Sequence, residues 1–464
     1  MTRPAKPLTT EPGESSPAAI SQQALGIACA LIFHFAVGVR LLVWFNNASE
    51  IDLPMSGLTR GYANDARTLL SGDIGLFVRG PNPPSDANVL AHPPGYPILM
   101  AAVFGAHGSL NAVRVVQLLV SSGSAVLVFL IALQFLPWRA AWLAGGLVAL
   151  SPQLAYNSLL LLPDSLSIFP ILLALWLLLR RGRAGDWVNL IGCGALFGLS
   201  LWLRANMLLL PVFIAVALAA FILPPGRRWR SLAIVAGAIL LIAPLTIRNA
   251  IVFGRFIPIS LAGGVTLMEG IADYDHEGRF SLPRTDMRVI DMEAREQNRP
   301  DYRNSLFNPD GVERERERTR RSVRLIGAHP FWFATVIARR DLMMLRLERV
   351  PAIAPAKQGA ETGPLLLRWA GGLLRLVQRA FITAVFWPLA LAGLILVWRR
   401  RELRAPAMLL LTVVIYLLAV QSWLHTEYRY VQIIQYVSLL FAAFALATAF
   451  AWLKRWMAGT VQTS

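Results

Sequence analysis

Charge is what this chain has least of. Of its 464 residues only 15% are Asp, Glu, Lys or Arg, while 56% are hydrophobic and the mean hydropathy is +0.53. An ordinary soluble domain is about 25% charged. So few charges cannot cover a soluble chain of this length, which makes this an integral membrane protein. Collagen-like, disordered and disulfide-scaffold classes are excluded by the same composition. Cysteine is almost missing: Cys29 and Cys193 both lie in apolar runs and read as small core residues, not a disulfide framework. No HxxxH, HExxH or clustered Cys/His spacing occurs, so no transition-metal site is expected. A Walker loop and a Rossmann glycine fingerprint are also missing, which argues against a soluble nucleotide-sugar mechanism. There is no internal repeat. Acidic residues are the scarcer sign, and the net charge is +17. Most of that excess flanks apolar runs, so it reads as the positive-inside bias and not as nucleic-acid binding.

What is present is a series of apolar runs. They lie near 24–45, 111–136, 138–156, 164–179, 187–203, 207–223, 231–247, 379–398, 405–423 and 431–453. A span needs about 20 apolar residues, fewer when its ends are shielded, so the expectation is an all-α polytopic membrane protein with about ten transmembrane helices. With the N-terminus inside, the short inner loops collect thirteen Lys and Arg residues, and the short outer loops hold only Arg204 and Arg429. In a chain expected in the cytoplasmic (inner) membrane, this asymmetry puts both termini in the cytoplasm. The Pro/Ser-rich stretch 1–23 carries no signal-peptide cleavage pattern and is expected to be a disordered cytoplasmic tail.

Residues 24–265 are expected to form a transmembrane catalytic module that includes an outer loop, 46–110. Residues 266–378 form an outer-face polar and interfacial-helix segment, and 379–464 a C-terminal three-helix membrane module. The outer loop holds GYANDARTLLSG and AHPPGYPILMAAVFG, whose apolar part is too short to span and reads as interfacial or re-entrant. PFWFATVIARRDLMMLRLE and GPLLLRWAGGLLRLVQ pair apolar and Arg residues at helical spacing and should lie on the membrane. ERERERTRR (313–321) alternates in charge and reads as a solvated helix face.

An ionisable residue at a span end or at membrane depth needs a reason. Asp164, in SLLLLPDSLSIFP, follows Pro163 and opens a helix, where the macrodipole alone would favour it. It also lies where both outer segments can reach it. The outer-facing acids are Asp52, Asp65, Asp73, Asp86, Asp164, Glu269 and Glu427, and the cations are His92, Arg204, Arg248 and Arg429. Arg204 and Arg429 each fit a snorkelling arginine taken singly. Four cations on one face, with carboxylates nearby, supply what glycosyl transfer needs: a base for the acceptor and positive charge for a departing phosphate.

These residues recur in an order. Tyr62 to Gly72 reads Tyr-x-x-x-Ala-Arg-x-Leu-Leu-x-Gly; HPPGYP (92–97) and VRVVQLL follow. ALSPQLAYNSLLLLPDSL (149–166), LWLRAN (201–206), TIRNAIVFGRFIPISLAGG (246–264), RLIGAHPFWF (324–333) and EYRY (427–430) complete it. The set resembles the membrane-embedded glycosyltransferases of the GT-C fold, with the bacterial relatives of protein mannosyltransferases and of the lipid A aminoarabinose transferase as the nearest groups. The resemblance covers 46–345, with a weaker tail to 453. It implies a polyprenyl-phosphate-linked sugar donor, a lipid, glycan or protein acceptor, an active site on the outer (periplasmic) face, and no cofactor. It leaves a divalent-cation requirement open.

The resemblance also implies roles. Asp164 matches the acid that opens the span after the second outer loop and helps form the active site, and with Asp65 it is a candidate base for the acceptor. His92 matches a basic position before the PPGY-like motif that contacts the lipid phosphate. Arg204 matches the Arg of a Leu-Thr-Arg-Pro-like motif, here without its Pro, and Arg429 the late Arg-Tyr motif near the phosphate. Tyr62, Tyr96, Glu269 and Arg248 are expected to bind substrate. One departure stands out: the loop Asp proposed as catalytic base in that family is here Leu58. Asp65, seven residues on, projects on the same face if the stretch is one helix, and ranks above Asp86 and Asp52 as its substitute. The rival reading, a lipid-linked-sugar transporter or non-catalytic polyprenyl-phosphate-binding protein, rests on the same Leu58.

Overall fold

The structure is a computed structural model that describes residues 21–48, 50–72, 92–180, 185–347 and 364–461. The tail expected to be disordered, residues 1–20 of it, and the loop residues Asp73 and Asp86 lie outside the described residues. The described residues are helical, with no strand among them. The helices are α1 (Gln22–Asn46), α2 (Ser56–Leu70), α3 (Gly95–Gly105), α4 (Leu110–Leu133), α5 (Trp138–Leu150) and α6 (Pro152–Asn157). Next come α7 (Asp164–Leu179), α8 (Trp187–Leu203), α9 (Leu210–Phe221), α10 (Leu232–Phe253), α11 (Gly263–Ala272) and α12 (Asp286–Glu296). The last are α13 (Gly311–Ala328), α14 (Pro330–Met344), α15 (Leu365–Gln378), α16 (Thr383–Trp398), α17 (Arg401–Val420) and α18 (Ile433–Val461).

Local chemistry sets several of these ends. Ser21 and Ser109 cap α1 and α4 by accepting from Ala24 N and Ala112 N, each satisfying one orphan donor of a first turn. Ser151 caps α6 with Pro152 at its first position, and this cuts the apolar run 138–156 in two. Gly254, left-handed at φ 62, ends α10.

Among the described residues five helices are long and apolar enough to cross a membrane: Gln22–Asn46, Leu110–Leu133, Pro225–Phe253, Arg401–Trp423 and Ile433–Ala458. The pair α15 and α16, bent by 61°, makes a sixth if counted as one broken span. Among the described residues, length and composition alone support five or six of the ten expected spans. The difference lies in α5, α7, α8 and α9, of 13, 16, 17 and 12 residues. The runs are as apolar as expected, but Ser151, Pro163, Arg180, Asp186 and Arg204 stop the helices early. At 1.5 Å per residue α7 is about 24 Å long, short of a hydrocarbon core of about 30 Å.

The bundle alternates in direction. Ser200 Oγ donates to Ser167 O at 2.8 Å and Asn189 Nδ2 to Leu177 O at 3.4 Å, so α7 and α8 run antiparallel. Asp164 and Arg204 therefore share one end of the bundle, while Arg180 and Asp186 share the other. A continuous apolar core, including Phe129, Phe197, Leu210, Tyr416 and Phe441, fills the space between the helices.

The segment expected to be polar and solvated behaves differently. Arg314, Glu315, Arg318 and Ser322 are buried. Their spacing places them on one face of α13, while Glu313, Arg316, Glu317 and Arg320 face out. Glu293 of α12 takes Arg314 Nε at 2.8 Å and Arg318 Nε at 2.6 Å. Glu315 accepts from the backbone N–H of Gly264 and Val265, capping the N-terminus of α11. The alternating charges of 313–321 thus correct to a half-buried ion network that holds α11, because charge alternation hides a helical face that only tertiary packing reveals. Helix α15 is amphipathic: Leu365, Leu366, Trp369 and Leu373 are exposed, while Leu374 and Gln378 are buried.

Candidate active site

The site is built around Asp164. It occupies the first turn of α7, where the positive end of the helix dipole favours a carboxylate. Only 5% of it is exposed, and its two oxygens face two guanidinium groups: Arg204 Nη2 at 3.3 Å and Arg429 Nη1 at 3.4 Å. Arg204 leaves the end of α8 in extended backbone (φ −147, ψ 125), which turns its side chain across the top of the bundle. Arg429 sits in the short helical turn Tyr428–Val431 that precedes α18, and Glu427 binds it at 2.6 Å. Both guanidinium carbons lie over the Tyr430 ring, at 4.2 and 4.9 Å from its centroid. A half-buried ring and a buried carboxylate thus hold two like charges side by side.

A cavity of about 350 Å³ opens beside this pair. Arg204, Asn206 and Tyr430 supply polar groups, and Leu208, Leu209, Val420 and Leu424 make much of it apolar. One wall comes from the first outer segment, through Tyr62, His92 and Pro93. The His92 ring lies 5.4 Å from that of Tyr62, which meets Tyr96 edge-on at 5.1 Å. Tyr96 donates its hydroxyl proton to Gln117 Oε1 at 2.6 Å, behind the wall and not on it. Gly95 brings α3 hard against the end of α8: a Cβ there would collide with the Trp202 carbonyl, so only glycine lets His92 sit beside Arg204. Burial, with Arg204 and Arg429 adding to it, pulls the His92 imidazole down to about 4, so it is neutral at pH 7.

The second wall comes from α11 and the hairpin between α17 and α18, through Thr266, Gln421 and His425. His425 N donates to Thr266 O at 2.7 Å. A Cβ on Gly270 would stand 2.6 Å from His425 N, so this close approach also requires glycine. Arg340 clamps the junction, donating to Ser422 O at 2.7 Å and to Gly270 O. The His425 imidazole binds Asp273 Oδ2 through Nδ1 at 2.7 Å and stands 4.0 Å from Glu427 Oε1 through Nε2. Burial opposes its charge, but Asp273, Glu427 and Glu269 outweigh burial and push it up to about 10. Glu427, despite its burial, is held down to about 2 by His425 and Arg429. Burial, together with neighbouring Asp286, raises Glu269 to about 8.

The structure brings together Asp164, Arg204, Arg429, His92 and Tyr62. It does not bring Arg248 to the wall: that side chain donates to Asn249 Oδ1 at 3.1 Å and lies over Phe253. Glu269 belongs to the second wall's carboxylate cluster. Helix α2 runs unbroken through Gly61, so Asp65 does share a face with Leu58, but it is half-buried one turn beyond Tyr62 and does not line the cavity. Asp52 forms an ion pair with the buried Arg114. Asp86 lies outside the described residues. Among the described residues no cluster of three His, Cys, Asp or Glu is arranged to hold a metal ion. Sequence reasoning missed His425, Asp273 and Tyr430. The available signal was HTEYRY, where His, Glu and Arg alternate beside Tyr.

A family model described as dolichyl-phosphate-mannose-protein mannosyltransferase matches residues 91–251, less than half of the chain. That stretch carries His92, Asp164 and Arg204. The apo crystal structure of the Archaeoglobus fulgidus oligosaccharyltransferase aligns with 95% of this chain and 52% of its own, at 14% identity and a TM-score of 0.51. Archaeal oligosaccharyltransferase AglB from the same organism, in complex with an inhibitory peptide and a dolichol-phosphate, aligns with 94% of this chain and 51% of its own, at 15% identity and a TM-score of 0.49. This chain spans about half the length of those enzymes. The first likeness shows a shared fold and, with the family match, bears out the resemblance to the GT-C superfamily. No curated protein gives a significant sequence match.

Proposed function

We propose that the protein is an inverting glycosyltransferase that moves a sugar from a polyprenyl-phosphate donor to a lipid, glycan or protein acceptor at the outer face of the cytoplasmic membrane. The observation that carries this reading is a cavity with Arg204 at a polar end and Leu208, Leu209, Val420 and Leu424 along its walls, with Arg429 held beside Arg204 by the shared Asp164 and Tyr430. A phosphate with an isoprenoid tail has that same division. The guanidinium groups neutralise the charge that grows on the phosphate as the glycosidic bond breaks, so no protein acid is needed at that end. Neutral His92 offers a hydrogen bond to the headgroup. The isoprenoid lies along Leu208, Leu209, Val420 and Leu424. The acceptor hydroxyl or amine attacks the anomeric carbon from the side away from the phosphate, which inverts its configuration.

Asp164 is a positioning residue in this reading. Both its oxygens face guanidinium groups, so it orients the cations and does not take the acceptor's proton. This reading keeps Asp65, on the Leu58 face of α2, as the base that takes the acceptor's proton. The orientation rests on charge: Arg180, Arg227 to Arg230 and Arg399 to Arg404 lie at helix ends away from the site, which favours cytoplasmic termini. The four shorter apolar helices complete ten spans if their shielded ends let them cross. Leu58, in the usual base position, favours one alternative, lipid binding or transport without chemistry.

The test is a transfer assay with purified full-length protein, a lipid-linked sugar and a panel of acceptors. Turnover in the wild type that is lost in Arg204→Ala is expected. Retained binding of the lipid with no product from any acceptor would leave the non-catalytic alternative standing, and gain of turnover in Leu58→Asp would strengthen it.

A further inference from the structure

The imidazole of His425 lines the cavity but has no part in the chemistry described above. Its Nδ1 is committed to Asp273 at 2.7 Å. Its Nε2 stands 4.0 Å from Glu427 Oε1, too far for a hydrogen bond, and 25% of the side chain is exposed. One N–H of the ring is therefore placed to meet a ligand oxygen. Its main chain is pinned to Thr266, and Gly270 and Arg340 fix α11 against it, so the ring is presented from a rigid seat.

The charged groups around it are known from each packed element. Asp273 and Glu269 come from α11, Asp286 from α12 behind Glu269, Arg340 from α14 and Glu427 from the hairpin itself. Arg429 lies beyond Glu427. The carboxylates dominate. His92, in the same cavity, has the opposite surroundings, with arginines nearest. Two titratable groups of one type with environments of opposite sign take different roles.

We propose that His425, seated by Asp273 and facing the Glu427 that binds Arg429, is a further cationic ligand for the phosphoryl group of the lipid-linked donor. This rests on the donor reading given above. The imidazolium donates from Nε2 to a phosphoryl oxygen while Arg204 meets another and Arg429 adds its charge from behind Arg204, so the headgroup is held between the two walls. Asp273 is a positioning residue: it fixes the ring and its charge. Because the imidazole titrates near 10, that donor persists through neutral and mildly alkaline pH.

The test is equilibrium binding of geranylgeranyl phosphate and of geranylgeraniol to the purified full-length protein in detergent. The wild type is expected to prefer the phosphate at pH 7. His425→Gln should weaken phosphate binding about tenfold, the worth of one charge-assisted hydrogen bond, and leave alcohol binding unchanged. His425→Lys should recover part of the loss. Asp273→Asn should move the pH at which phosphate affinity falls from near 10 towards the ordinary histidine range. The inference is overturned if His425→Gln keeps the wild-type preference while Arg204→Ala loses it, an outcome that leaves the donor reading intact. It is also overturned if both ligands weaken together or Asp273→Asn does not move the pH profile. A wild type with no preference for the phosphate overturns the donor reading as well.

Discussion

The two walls of the cavity are built by different means. The first, carried by α2, α3 and the ends of α7 and α8, depends on short motifs: Pro163-Asp164, Leu203-Arg204 and His92 before a double proline. Each places its side chain by local backbone chemistry. The second depends on packing between distant segments: α11, capped by Glu315 from α13, presses on a hairpin some 150 residues later, with His425 and Asp273 152 residues apart. The first wall surrounds its histidine with arginines and the second with carboxylates. One residue type therefore stands neutral on one side and charged on the other: burial and arginines act together on His92, while carboxylates outweigh burial at His425.

Breaking the ion cluster at the head of the first wall should have the largest effect. Asp164→Ala leaves two buried guanidinium groups without their shared carboxylate. The loss of one partner of a buried pair costs about 3–5 kcal/mol. A lowered thermal unfolding midpoint in detergent, together with lost turnover, is expected; unchanged stability would mean the arginines do not depend on it. Arg204→Ala should fold but lower kcat/KM by about 100- to 1000-fold, the scale of removing one transition-state charge ligand. A rate within a factor of a few of wild type would separate the first wall from the chemistry.

The pH dependence of stability sharpens the contrast. His92 binds its proton less readily folded than unfolded, about 4 against 6.5, so the folded state loses stability as pH falls through that window. His425 is shifted the other way, so its contribution is complete below about 6.5 and is lost as pH rises through about 10. His92→Gln should flatten the acid limb of a stability–pH curve and His425→Gln the alkaline limb. The same limb flattening in both variants would erase the distinction between the walls. The smallest expected effect is Tyr430→Leu, which removes the ring shared by Arg204 and Arg429. It should weaken phosphate binding about fivefold, about 1 kcal/mol of cation–π attraction, without a change in pH dependence.

Legibility followed the same division. Asp164, Arg204, Arg429 and His92 could be read from the chain because each sits beside a proline, a helix end or an apolar run that limits its position. His425 could not, since a lone histidine in a loop reads as bland until Thr266 and Asp273 arrive from elsewhere. The arginines and glutamates of 313–321 misled for a related reason: their alternation suggests solvent, while positions 314, 315, 318 and 322 form one buried face. The apolar runs showed where the membrane segments lie, but composition does not show where Ser151, Pro163 or Arg204 stops a helix. Asp65 shares the Leu58 face as the seven-residue spacing suggested, yet it lies away from the cavity, because a shared helix face fixes direction and not reach.

A structure determined with a polyprenyl phosphate bound tests the central claim most directly. The account predicts the phosphate within hydrogen-bonding reach of Arg204, on the side of the cavity that Arg429 backs, with the isoprenoid running along Leu208, Leu209, Val420 and Leu424. A phosphate seated elsewhere, or a tail outside this cavity, would contradict it.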